Sequence, residues 1–124
     1  MSKIAIMNSS KEVTGMLKDV LEDSGFETVD VYTYKLKNKE VDIDKFLAEH
    51  KPDVILYDIA IPYQENFRFF KSVVKRVKNI PFIVTTTNKE ALDKLVGKTE
   101  AFEIIGKPFD LMKLVEMVTS ATKA

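Results

Sequence analysis

Short, almost uninterrupted apolar runs alternate with longer amphipathic segments along the chain, and this alternation restricts the fold more than any single residue does. The runs cover residues 4–7, 29–32, 54–57, 82–84 and 104–105. Each is short and bounded by polar or turn residues, as β-strands are. Between them, Val13, Met16, Leu17, Val20 and Leu21 recur at helical spacing, and Gly25 follows as a stop signal. Phe67, Phe70, Val74 and Val77 form a second stripe, and Leu92, Leu95 and Val96 a third. Leu111, Leu114, Val115 and Val118 form the last, opened by Asp110 as N-cap. A weaker helix starts at Ile43, Phe46 and Leu47 and closes at His50 and Pro52.

Strand and helix in alternation predict an α/β fold, a parallel sheet with helices on both faces. The first, third and fourth runs are continuously apolar, as strands covered on both faces should be. The second alternates through Thr28, Val29, Asp30 and Val31, and the fifth carries Glu103, so both suit sheet edges. The expected architecture is a flavodoxin-like (βα)5 doubly wound sheet of order 2-1-3-4-5. Residues 1–124 are expected to form one domain, with no length for an appended DNA-binding unit. Nineteen basic and nineteen acidic residues cancel, which gives no electrostatic footprint for nucleic acid or anionic membrane. The absence of cysteine excludes a disulfide framework and thiolate zinc. No signal pattern or membrane-length apolar run is present, so a cytoplasmic protein is expected.

In a sheet of this order the ligand crevice lies at the carboxyl ends of the strands, beside the switch point between strands one and three. The stretch "PDVILYDIAIP" ends its apolar run on Asp58 at that place. Asn8 and Ser9 follow strand one, Thr85 to Thr87 follow strand four, and Gly106 and Lys107 follow strand five. Asp58, Thr86 and Lys107 supply a nucleophilic carboxylate, a hydroxyl donor and a charge-offsetting ammonium, a set suited to a group that gains a phosphoryl.

With these residues in place the sequence resembles the receiver domain of bacterial response regulators. "KIAIMNSS", "PDVILYDIAIP", "IPFIVTTT" and "IIGKPFD" fall where that family's motifs fall. The resemblance implies that Asp58 is the phosphoacceptor, Thr86 the switch hydroxyl and Lys107 the phosphate-pairing lysine. Pro62 and Pro108 would be structural at the site, with the Lys107–Pro108 bond cis.

The departures matter as much. The family normally has two adjacent acids after strand one, which hold Mg²⁺ with the phosphoacceptor; here Asn8 and Ser9 stand there. Two further positions that sometimes carry acids are Ala60 and Asn88, and Glu65 is the nearest carboxylate in sequence. The usual pocket has three carboxylates and one lysine, whereas Asp58 and Lys107 alone would remain and cancel. Mg²⁺ depends on hard, charged oxygens, so Asp58 is a weak ligand at best. Asn8 offers one neutral oxygen, which leaves weak binding at millimolar Mg²⁺ open. Ile104 replaces the usual switch aromatic, and Phe102 is displaced along strand five. Asn66 takes the place of a loop glycine, a residue tolerant of left-handed backbone. The segment "YKLKNKEVDID" reads as extended strand and loop.

Plainer roles are available for several of these residues. Ser9 with Glu12 forms a capping box opening the first helix, and Asp58 suits a strand-to-loop turn. Thr85 to Thr87 suit strand propensity alone. His50 suits a helix C-terminus. Phe67 and Phe70 suit the core, with Phe69 and Tyr63 exposed.

Three functions follow. The first is a stand-alone pseudo-receiver in two-component-type signalling: a non-enzymatic protein-interaction module without cofactor, its Asp58–Lys107 pair fixing one conformation. The second is a working phosphoacceptor, using weak Mg²⁺ and taking a phosphoryl from a histidine kinase or phosphotransfer protein on Asp58. The third is a flavodoxin-like binder of a small anionic ligand. Each expects protein or small-molecule partners, not nucleic acid or membrane.

Overall fold

The computed structural model describes residues 2–87, 90, 94, 103–106 and 110–122. Five strands, β1 (Lys3–Asn8), β2 (Glu27–Tyr32), β3 (Val54–Ile59), β4 (Phe82–Thr86) and β5 (Glu103–Gly106), form one sheet of order β2-β1-β3-β4-β5. Every neighbouring pair is parallel, so the expected doubly wound topology is the one observed. Among the described residues, the helices whose bounds are defined are α1 (Lys11–Asp23), α2 (Thr33–Lys37), α3 (Ile43–His50), α4 (Tyr63–Arg76) and α5 (Leu111–Thr122). The third apolar stripe, Leu92, Leu95 and Val96, lies outside the described residues.

The period of two along each strand divides the core into two layers. Ala5, Met7, Ile55, Tyr57, Phe82 and Val84 face one side, packed by Phe67, Phe70 and Val73 of α4 and by Phe46 of α3. Ile4, Ile6, Val54, Leu56 and Ile83 face the other, packed by Leu17 and Leu21 of α1 and by Leu114 and Val118 of α5. Burial on both faces is why β1, β3 and β4 lack polar alternation. Asp58 follows Leu56 in phase and therefore belongs to the α1–α5 layer.

Four local expectations are corrected. Ser10, not Ser9, caps α1: its hydroxyl accepts the Val13 N–H at 3.2 Å. Glu12 then falls at the second helical position and no capping box forms. Met16 is exposed and Thr14 takes the inward position, because the buried ridge runs through residues 14, 17 and 21. Residues 33–37 are a helix, not extended chain. Leu36 anchors it in the core, and the Tyr32 and Tyr34 rings stack at 5.5 Å. Beyond it the chain turns through Lys39 (φ 64°), and the Val41 N–H closes onto the Lys35 carbonyl. Asn66 lies inside α4 and is not left-handed.

Other expectations hold. Asp110 accepts the Met112 N–H with its carboxylate and so opens α5. Asp42 caps α3, which ends at His50 before a left-handed Lys51. Phe67 and Phe70 are core as expected, whereas Phe69 and Tyr63, expected to be exposed, are half-buried against it.

Lys18 of α1 pins the edge strand β2 by donating to Asp30 at 2.8 Å. This bond raises the Lys18 pKa above 10.5 against a smaller opposing effect of burial. A raised lysine pKa contributes stability that is complete below the unfolded value and is lost as pH climbs through the folded one. Asp30→Asn is expected to cost about 0.5–1 kcal/mol at neutral pH, the range for a solvent-screened pair. In urea titrations the deficit relative to the parent should close above pH 10.5; a deficit independent of pH would assign the cost to something other than the pair.

Candidate functional site

The site begins where β3 ends. Asp58 is 6 % exposed, a carboxylate almost fully withdrawn from water. Such a group requires donors. The β3–β4 register sets Asp58 opposite Thr85, and the Thr85 hydroxyl donates to Asp58 Oδ1 at 2.6 Å. Thr86, the hydroxyl expected here, is fully buried and registers with Ile59. Alternation therefore turns its side chain to the opposite face of the sheet from Asp58. Thr85 is in phase with Ile83, as Asp58 is with Leu56, and the β3–β4 register puts the two pairs on one face.

Extending the β1–β3 register by one residue sets Asn8 beside Asp58. Asn8 is buried, and its Oδ1 accepts the Ser10 N–H at 2.8 Å. Ser9 is exposed and lines a cavity of about 270 Å³ together with Asp58, Thr33, Lys37, Tyr57 and Asn66. Pro62, also in that lining, opens α4 after a cis Ile61–Pro62 bond. Tyr57 keeps its proton: burial first, and the Asp58 carboxylate second, push its phenol well above 10.0.

Lys37 is the feature that sequence reasoning missed, because nothing local predicts that α2 swings its last residue over the end of β3. Its ammonium donates to Asn66 Oδ1 at 2.7 Å, and Asn66 Nδ2 donates to the Ala60 carbonyl at 2.8 Å. The loop after Asp58 is thus tied to α2 through one amide side chain. A second tie, between the hydroxyls of Tyr63 and Thr87, joins the start of α4 to the end of β4. Glu65 stays exposed on the first turn of α4, away from the cavity lining. Lys107, Pro108, Phe102 and Asn88 lie outside the described residues. Ile104 is placed by its backbone alone, opposite Val84 in β5.

Among the described residues no cluster of three histidine, cysteine, aspartate or glutamate side chains is disposed to hold a metal. Replacing Thr85 by valine removes a donor from the buried Asp58 carboxylate and is expected to cost about 1–3 kcal/mol. In a double-mutant cycle with Asp58→Asn by urea unfolding, the two losses should fall well short of additive. Simple additivity would mean the 2.6 Å bond contributes nothing to stability.

A buried carboxylate at the carboxyl end of the third strand of a 2-1-3-4-5 parallel sheet is a specific arrangement. The family model described as the response regulator receiver domain matches residues 4–119. The chain belongs to the response regulator receiver family. Solved receivers share its backbone. The N-terminal domain of the nisin resistance regulator NsrR is 24% identical with a TM-score of 0.70, covering 99% of each chain. The Vibrio cholerae chemotaxis protein CheY4 is 24% identical with a TM-score of 0.70 over 98% of each chain. A response regulator from Thermotoga maritima is 20% identical with a TM-score of 0.75, covering 100% of this chain and 99% of that one.

Proposed function

We propose that this receiver acts in two-component-type signalling as a protein-interaction module whose Mg²⁺-dependent phosphorylation is impaired. The observation that carries the reading is that three oxygens at and beside Asp58 already accept hydrogen bonds from the protein. Asn8 Oδ1 accepts from Ser10, the Ala60 carbonyl accepts from Asn66, and Asp58 Oδ1 accepts from Thr85. Mg²⁺ requires near-octahedral hard oxygens and sheds its water reluctantly. One carboxylate, with neutral neighbours committed to the fold, does not fit that ion. Asp58 is then a structural acid held by Thr85, and the receiver keeps one conformation for a protein partner to recognise.

A second reading, phosphorylation on Asp58, is favoured by one observation: the carboxylate lines a cavity with the Lys37 ammonium at its rim. In that reading a carboxylate oxygen of Asp58 attacks phosphorus, the bond to the donor's imidazole nitrogen breaks, and an acyl phosphate forms. This self-catalysed transfer is the only enzyme-like step proposed. A phosphate cradle after β1 finds less support, since Asn8 and Ser10 spend their side chains on the start of α1. Among the described residues no helix is long and apolar enough to cross a bilayer.

The test is a titration of Mg²⁺ with beryllofluoride or acetyl phosphate, followed by amide NMR on the parent and Asp58→Asn. The interaction-module reading expects a flat response through high-millimolar Mg²⁺. Saturable shifts at Asp58, Thr85 and Ala60 that vanish in Asp58→Asn would replace it with the phosphoacceptor reading.

A further inference from the structure

A second, larger cavity lies beside the Asp58 cavity, and the two share Lys37 and Phe69 in their linings. It measures about 440 Å³, and its floor is apolar: Leu36 of α2, Val41 before α3, Ile43 at the start of α3, and Phe69 and Val73 of α4. Its other lining residues carry charge of one dominant sign. Lys37, Lys39 and Arg76 stand against Asp42 alone, an excess of two positive charges. Arg76 is paired with Asp44 at 2.7 Å, and Asp42 is occupied in capping α3. Lys37 donates to the neutral amide of Asn66, and Lys39 is exposed. Neither lysine has a carboxylate partner among the described residues.

We infer that this groove between α2 and α4 is the docking site for a partner-protein segment that combines acidic with aliphatic or aromatic side chains. Apolar side chains of the segment would cover Phe69, Val73 and Leu36, and its carboxylates would take the ammonium groups of Lys37 and Lys39. A floor without charge argues against a polyanion, which needs cations along its whole contact path. The chain's balanced net charge supplies no wider field to hold one. Docking would also be felt at Asp58. A carboxylate that draws Lys37 away from Asn66 loosens the amide that holds the Ala60 carbonyl, two residues beyond Asp58. The inference deepens the interaction-module reading and rests on it, yet its test uses neither metal nor phosphoryl donor.

Selection of a displayed random heptapeptide library on the full chain tests it, with Lys39→Glu and Ser72→Glu as counter-targets. Both substitutions fall on exposed residues of the lining, and thermal melting checks that each variant folds. Enriched peptides should carry acids next to apolar residues. Their synthetic versions should shift the amides of Leu36, Val41, Phe69 and Val73, and with them Asn66 and Ala60. Affinity should fall about 5–10-fold in each variant, since reversing one screened contact turns its attraction into a similar repulsion. Enrichment of basic or purely apolar peptides, equal recovery on the variants, shifts mapping elsewhere, or no enrichment would each overturn the assignment. A receiver that fails this selection while giving a flat Mg²⁺ titration would lose the groove and keep the function proposed above.

Discussion

Aspartates in place of both Asn8 and Ser9 are expected to raise Mg²⁺ affinity at least ~100-fold over the parent. Attraction between a divalent ion and one carboxylate at about 4 Å is worth about 2 kcal/mol even with the dielectric of water, or ~30-fold in affinity. Two such groups exceed the stated bound with room for imperfect geometry. Asn8 Oδ1 already serves the Ser10 N–H. An aspartate there keeps that bond with one oxygen and turns the other to the site, while position 9 lies on the cavity lining. Without metal, the added charges face Asp58 and lower stability; with metal, stability rises as RT ln(1 + [L]/Kd). Calorimetric Mg²⁺ titration and melting with and without Mg²⁺ should show both halves of this exchange. A double variant that binds no better than the parent would mean that something other than the missing acids closes the site.

Phe70→Ala is expected to remove about 3–5 kcal/mol of stability, the range for truncating a fully enclosed aromatic. The ring is 0% exposed and lies 4.8 Å from Tyr57, 6.1 Å from Phe67 and 5.4 Å edge-on from Phe82. It therefore joins β3, β4 and α4 in one aromatic cluster. That loss is a large share of the roughly 5–15 kcal/mol available to a domain, and melting should fall by about 10–20 °C. The same truncation at half-buried Phe69 should cost clearly less, because its site borders the groove and water can refill it. Equal losses at the two positions would contradict the assignment of Phe70 to the centre of this layer.

The sheet was legible because double-sided burial leaves a mark that short range can read: "KIAIMN", "VILYDI" and "FIVTT" have no polar phase to lose. The alternation of β2 betrayed its edge position for the same reason. What stayed hidden depends on partners distant in sequence. Ser9 and Ser10 are chemically equal, and only the exit direction of β1 decides which one meets Val13. Thr85 and Thr86 are likewise adjacent hydroxyls, separated only by the register of β4 on β3. Residues 33–37 look polar in one dimension because one buried side chain, Leu36, suffices to hold so short a helix. Lys37 had no signal at all, since its importance comes from where α2 ends in space.

The Lys18–Asp30 pair has a second effect that concerns neighbours the chain should not acquire. β2 bonds to β1 on one side only, so its other side offers a row of backbone donors and acceptors to any passing strand. Asp30 registers with Ile6 and so points inward, under α1. Inward-pointing charge is a known way for sheets to refuse an extra strand. A strand added beside β2 would have to lay its own side chain against a carboxylate already claimed by Lys18. Losing Asp30 would therefore remove not only a bond but a guard, and leave this edge of the sheet open to growth.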